Sequence, residues 1–254
     1  MGTRVLIVVL FALSVLTSSA LTYLLINKTN FAKAGSGDVG AEVAKFIEEN
    51  PDVVVQSLRN AQAARAKKEE MDTEKNATEL RPQLEKNPTD GQAGNKDGDV
   101  TVVAFHDHNC GYCRKSIPDI ERLLSEDKGV KFVLKDFPIL GPLSIEKAKA
   151  SIAVAKISPE KWFSFYDALG KANTQTVEQV IELAQKEIGI DPNALKSEME
   201  SKATANKISE NRALGEQLYI SGTPVFIVNG KVIRGAAGFD AFKAAVAEAR
   251  ANKS

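Results

Sequence analysis

The sequence predicts an α/β fold with a long helical stretch, and three patterns predict it. First, a strand-type run, Asp99–Phe105, leads through Cys110-Gly111-Tyr112-Cys113 into a helix-type run through Arg114 and Ile117. Second, Pro224–Val228 and Lys231–Arg234 flank Asn229-Gly230, a turn pair that favours a two-residue hairpin because both positions tolerate positive φ. Third, the stretch from about Ser144 to Leu218 holds only helical patterns, broken near Ser158-Pro159, Asn173-Thr174 and Asp191-Pro192.

In chain order, the first feature is Val5–Ile26, a nearly unbroken apolar run with Arg4 before it and Lys28 after, long enough to span a bilayer. Residues 1–27 read as a signal peptide or a membrane anchor. Ser18-Ser19-Ala20 supplies small residues suited to signal cleavage, whereas Leu21–Ile26 prolongs the apolar run as an uncleaved anchor would. Both put the rest of the chain in a periplasmic or other extracytoplasmic space, with Arg4 on the cytoplasmic side. Residues 28–80 read as a helical oligomerisation segment. A short helix bearing Val43, Phe46 and Ile47 precedes a longer one that starts at Asn50-Pro51-Asp52, with Asn as cap, Pro in the first turn and Asp against the helix dipole. The longer helix is expected to run to about Lys75, and its apolar stripe, Val54, Leu58 and Ala61, is interrupted by Arg65 and Lys68.

Such a segment is too small to hold a core alone. It either packs on the domain that follows or joins copies of the chain. Residues 81–98, rich in Pro, Gly, Asn and Asp, read as a linker. The domain proper is expected over 99–254, with a second strand at Val130–Phe137, the helical stretch at about 144–218, the hairpin, and a last helix from Phe239 to about Ala251. Trp162, Phe163, Phe165 and Tyr166, at helical spacing, are expected in its core, with a cofactor or peptide cleft as the other reading.

Both cysteines and both histidines of the chain fall within residues 106–113. A C-x-x-C at a strand-to-helix junction reads as a redox dithiol. The positive end of the helix dipole favours the thiolate of the first cysteine, and the second lies one turn on, close enough to form a disulfide. Other readings stand beside this one. A structural disulfide across so short a loop constrains the unfolded chain little. A zinc or copper site would use both cysteines with His106 or His108, but the chain has no second Cys or His cluster to complete an ordinary zinc-ribbon spacing. Covalent haem needs His directly after the second Cys, where Arg114 stands. A net charge of zero and 6% aromatic residues offer nothing to nucleic acid, and no cofactor is expected. With no cysteine outside the motif, the chain keeps none for bridges of its own, which suits a protein that handles the disulfides of others.

Cys110-Gly111-Tyr112-Cys113, Lys135-Asp136-Phe137-Pro138-Ile139-Leu140-Gly141 and Gly222-Thr223-Pro224, in this order, resemble the DsbA family of thioredoxin-fold oxidoreductases. More narrowly they are similar to its oligomeric, outer-membrane-antigen-like and ScsC-like branch. The resemblance covers about residues 95–250. It implies a thioredoxin fold with an inserted helical subdomain, behind an N-terminal helical oligomerisation segment. It implies a cis Thr223–Pro224 peptide beside the dithiol, exported cysteine-containing proteins as substrates, a membrane redox partner that recharges the dithiol, and a dimer or trimer.

On this reading Cys110, exposed at the helix start, is the nucleophile, and Cys113, more buried, resolves the mixed disulfide. Gly111 and Tyr112 tune the thiolate. Thr223 offers a hydroxyl near the sulfurs, and by the resemblance its backbone pairs with an extended client segment. The Gly-Tyr dipeptide and the Thr before proline also occur in DsbC-type isomerases, which favours an oligomeric disulfide isomerase over a monomeric DsbA-like oxidase. One departure stands out: many relatives carry a buried acid where this chain has Ala104. Strand alternation puts His106 on the same face, as a satisfied core histidine or as a proton relay in place of that acid.

Overall fold

The computed structural model describes residues 39–252. The apolar run 5–26, with the signal and anchor readings placed on it, lies outside them. No helix among the described residues is long and apolar enough to cross a membrane. The chain divides into two compact units, with the division between Arg65 and Ala66.

In the first unit, α1 (Val39–Glu49) is followed by the opening of α2 (Pro51–Glu79). Asn50 stands between the two helices, and its side-chain Nδ2 donates to the Phe46 carbonyl at 2.9 Å, which closes α1. Val39, Val43, Phe46, Ile47, Val53 and Leu58 are all exposed.

The second unit contains the remainder of α2, then α3 (Arg81–Glu85), β1 (Gly91–Gly94), β2 (Val100–His106), α4 (Gly111–Glu126) and β3 (Val130–Asp136). The insertion follows as α5 (Pro142–Ile157), α6 (Trp162–Lys171), α7 (Val177–Ile188), α8 (Pro192–Met199) and α9 (Lys202–Gln217). The hairpin β4 (Val225–Val228) and β5 (Lys231–Arg234) and the last helix, α10 (Phe239–Ala251), complete the chain. The strands form one sheet in the order β1-β3-β2-β4-β5. β2 and β3 are parallel, and the other neighbours are antiparallel. Asn229 and Gly230 turn the hairpin with φ of 51° and 89°, as the sequence required.

Alternation along the strands builds two cores. On one face Val102, Ala104, Phe132, Leu134 and Phe226 pack with Ile117 and Ile120 of α4, Phe242 of α10, and Trp162, Phe165 and Tyr166 of α6. The aromatic run of α6 is thus mainly core. On the other face Val103, Phe105, Val133, Val225 and Ile227 pack with Ala77 of α2, Leu84 of α3, Leu218 and Ile220.

Two expected boundaries need correction. Residues 81–98 were expected as a linker, but α3 and β1 lie within them, and Leu84 and Asp90 are buried. The reason is a charge. Lys135 points into the second face with its side chain fully buried, and Asp90 meets it at 2.5 Å. The Asp90 carboxylate also pairs with Lys207 of α9, while Lys135 Nζ donates to the Gln83 carbonyl at 2.8 Å. A buried ammonium without an acceptor would be prohibitive, so the segment is pinned to the sheet. Gly91 fits the same seat: a Cβ there would stand 2.0 Å from Cε2 of Trp162. The second correction concerns residues 66–80 of the expected oligomerisation segment. They belong to the second unit, where Thr73 and Ala77 are buried, and α2 runs to Glu79 rather than about Lys75. The domain therefore begins well before residue 99.

Candidate active site

Cys110 is the N-cap residue of α4, with extended backbone (φ −74°, ψ 120°), and its N–H donates to the Asp107 carbonyl at 2.9 Å. The thiolate of a residue so placed faces the unpaired N–H groups of the first turn. The Thr223–Pro224 peptide is cis. The Cys110 thiol donates to the Thr223 carbonyl at 3.3 Å, which brings the dithiol against the loop before β4. Both cysteines are reduced thiols. Cys110 is only 7% exposed and Cys113 is fully buried. The expectation of an exposed Cys110 is thus too strong, because Thr223 covers part of its sulfur; the difference in access between the two thiols stands. Burial pushes the Cys113 thiol up, while the Thr223 hydroxyl and the Asp107 backbone N–H act in the opposite direction. Gly111 and Tyr112 form the outer surface, and Tyr112 is 65% exposed.

One buried carboxylate holds the loop ahead of Cys110. Asp107 Oδ1 accepts the Asn109 N–H at 2.8 Å, and Oδ2 accepts the N–H groups of Ile139 and Leu140 at 2.7 and 3.0 Å. These bonds tie the dithiol loop to the loop after β3. Lys147 of α5 donates to Asn109 Oδ1 at 2.7 Å. Burial, then the nearby Arg114, lowers the Lys147 ammonium from its ordinary value.

Behind the dithiol lies a buried polar network. His108 Nε2 stands 2.7 Å from Asp136 Oδ1, with both side chains almost fully buried. Ser151 of α5 donates to Asp136 Oδ2 at 3.3 Å, and Trp162 Nε1 donates to Ser151 Oγ at 3.1 Å. His106 Nδ1 lies 3.3 Å from the Tyr166 hydroxyl, and its ring lies 4.9 Å from that of His108. Burial, and then the neighbouring His108, hold His106 well below the ordinary imidazole range. Burial raises the Asp136 carboxyl, and the His108 hydrogen bond opposes that rise.

Cys110, Gly111, Tyr112, Cys113, Thr223 and Pro224 therefore come together. His106 does share the core face of Ala104, and its hydrogen-bond partner is Tyr166. Sequence reasoning missed Asp107, Lys147 and the Asp136 carboxylate. Asp136 carried a readable signal, an acid at the end of the strand two residues before Pro138, on the face that alternation gives to the apolar Phe132 and Leu134. Asp107 and Lys147 carried none, since their roles depend on loops and a helix distant in sequence. Among the described residues no three of His, Cys, Asp and Glu gather into a metal-holding cluster.

Comparisons with known proteins fit this geometry. The family model described as thioredoxin matches residues 86–248, more than half of the chain. Disulfide bond formation protein D of Bacillus subtilis is 30% identical over 160 residues, covering 59% of this chain and 72% of that protein. The crystal structure of a thioredoxin-like oxidoreductase from Silicibacter pomeroyi superposes with a TM-score of 0.63 at 33% identity, covering 67% of this chain and 97% of the other. Proteus mirabilis ScsC in a transitional conformation shares the fold, with a TM-score of 0.64 at 24% identity over 87% of this chain and 99% of the other.

Proposed function

Because the chain belongs to the thioredoxin family, as a DsbA- and ScsC-like thiol:disulfide oxidoreductase, we propose that it rearranges disulfide bonds in exported proteins and works as an oligomer. The observation that carries this reading is the first unit, whose large apolar side chains, Val43, Phe46, Ile47 and Leu58 among them, are exposed to solvent. Exposed apolar clusters of this kind mark association surfaces, and a second or third copy of the chain is the occupant that the resemblance favours. Several dithiols facing one client raise the local thiol concentration around it. Tyr112 and Thr223 beside the sulfurs support rearrangement over plain oxidation. The apolar run 5–26 supports an extracytoplasmic, periplasmic location, reached as a cleaved or anchored chain, with a membrane redox partner to reset the dithiol.

In this mechanism the Cys110 thiolate attacks a client disulfide, and the extended client strand pairs with the backbone at Thr223. Cys113 then attacks Cys110 Sγ, or waits while the client finds another pairing. Cys113→Ala, in its reduced form, should accumulate mixed disulfides with a scrambled, oxidised client, and Cys110→Ala should not. Equal trapping by both variants would overturn the assignment of roles.

The oligomer is tested by comparing chains starting at residue 28 and at Ala66, the second keeping the whole compact unit. The longer chain should run as a dimer or trimer and reactivate scrambled ribonuclease. The shorter one should be a monomer that still oxidises or reduces a dithiol peptide but no longer isomerises. If the longer chain is monomeric, or both isomerise equally, a monomeric dithiol oxidase is the better account.

A further inference from the structure

For Cys113 to resolve a mixed disulfide, its thiol must lose a proton in a place closed to water. The side chain is fully buried, and burial disfavours its thiolate. A base has to be supplied from within. The buried titratable groups near it are Asp107, whose oxygens are taken by the N–H groups of Asn109, Ile139 and Leu140, and His106, His108, Asp136 and Tyr166. Their hydrogen bonding is uneven. His106 Nε2 and His108 Nδ1 are buried ring nitrogens with no hydrogen-bond partner. Buried polar atoms are nearly always satisfied, and two unsatisfied ones on adjacent rings call for a chemical reason.

We propose that His108, backed by Asp136, receives the proton that Cys113 gives up during resolution, and that Tyr166 and His106 line its path. The two histidines differ in what they can hold. His106 has a phenol as its partner and is kept neutral by burial and by His108. His108 has a carboxylate at 2.7 Å, which is what an imidazolium needs in a dry site. Ser151 and Trp162 fix that carboxylate from behind. Tyr166 links the pair: its ring lies against both histidines, at 5.1 and 6.0 Å between centroids, and negative charge on Cys113 is among the causes that raise its phenol.

The step balances without an added reagent. Cys113 Sγ attacks Cys110 Sγ, a bond forms between these two sulfurs, and the bond from Cys110 to the client sulfur breaks. Cys113 is oxidised to the disulfide level, Cys110 stays at that level, and the client sulfur leaves as a thiolate, reduced. The Cys113 proton rests on the His108 imidazole and is then passed to the client thiolate. In the opposite direction the same proton returns to Cys113 as it leaves. Other charged groups bear on the network. Asp90 raises the Asp136 carboxyl, Asp136 and Asp167 raise the Tyr166 phenol, and Lys147 stands at Asn109, next to His108. Asp136 acts through His108 and is a positioning residue.

This inference rests on Cys113 being the resolving thiol, so the test separates the two. Reduced full-length protein is mixed with excess oxidised glutathione, and release of glutathione in the resolving step is followed by stopped flow from acid to alkaline pH. Cys113→Ala should stall after the first glutathione; release at the wild-type rate would overturn the resolving role itself. With that role standing, Asp136→Asn and His108→Phe should slow release about tenfold or more near neutrality. Their rates should rise in proportion to hydroxide and rejoin the wild type in alkali, where Cys113 ionises unaided. Profiles that superimpose on the wild type would overturn the inference. If His108→Phe does not fold, as judged by circular dichroism, Asp136→Asn and Ser151→Ala decide; Ser151→Ala should shift the profile in the same direction by less, and an unmoved profile in both would overturn it.

Discussion

Lys135 and Asp136 are neighbours on β3 that point to opposite faces of the sheet, and each buries its charge. Lys135 is closed off completely. Asp90 pairs with it, Gln83 accepts from it, and Lys207 shares the same carboxylate. Asp136 is closed off on one side and open on the other: Ser151 and His108 satisfy its oxygens, yet His108 passes on a bare ring nitrogen. The first arrangement has nothing left to do and holds a segment in place. The second keeps an unused site for a proton on a buried ring. Burial alone does not separate structural charge from chemical charge; unspent hydrogen-bonding capacity does.

The largest effect that can break this comparison comes from cutting the chain. A chain starting at Ala66 should fold, whereas one starting at Asn95, close to the expected end of the linker, should not. It would lose β1, Leu84 and Asp90 together, leaving the edge of β3 unpaired and Lys135 uncompensated. Circular dichroism and cooperative urea unfolding of both fragments check this. Next comes Asp90→Ala, expected to cost about 3–5 kcal/mol in urea unfolding because it strands buried ammonium groups. Adding Lys135→Met should restore most of that loss, and a double variant as unstable as the single would contradict the pairing. Gly91→Ala attacks the same seat sterically and should cost about 1–3 kcal/mol, since the Trp162 ring or the strand must move.

Asp136→Asn sharpens the contrast from the other face. It should cost less than about 2 kcal/mol, because burial already disfavours the charged form and the amide retains a hydrogen bond to His108. Its main effect should fall on the pH profile of resolution. The smallest effect belongs to a half-exposed pair. Hydrogen bonds from Arg250 hold the Asp127 carboxyl below its ordinary value. Between the lowered and ordinary values the unfolded chain binds more protons than the folded one. The pair's small stabilisation is therefore complete above the ordinary carboxyl pKa and is lost as pH falls through the lowered one. Asp127→Asn should flatten that acid limb of the unfolding curve slightly.

Local patterns made much of this molecule readable. The dithiol at a strand-to-helix junction, the Asn229-Gly230 hairpin, the breaks of the insertion at Ser158, Asn173 and Asp191, and the start of α10 all depend on residues adjacent in sequence. The expected linker failed for the opposite reason. Its Pro, Gly and Asp composition describes a loop, and only the buried Lys135, some 45 residues away, turns that loop into an edge strand. The seat of Cys110 divides in the same way. Its place at the helix start was legible, but the carboxylate of Asp107 that fixes the loop finds its donors at Ile139 and Leu140, where no spacing rule reaches. His106 was legible as a face, from strand alternation. Its partner on α6 was not, because the path of an inserted helix over a sheet is set by packing as a whole.

The chain holds a single tryptophan, and the fold has placed it as an observer. Trp162 donates to Ser151, and Ser151 donates to Asp136. A proton gained by His108, the partner of that carboxylate, alters the chain of hydrogen bonds that ends on the molecule's one indole. Its emission is undiluted by other fluorophores of its kind, and a shift in its colour or yield during turnover would time the proton's arrival without a label.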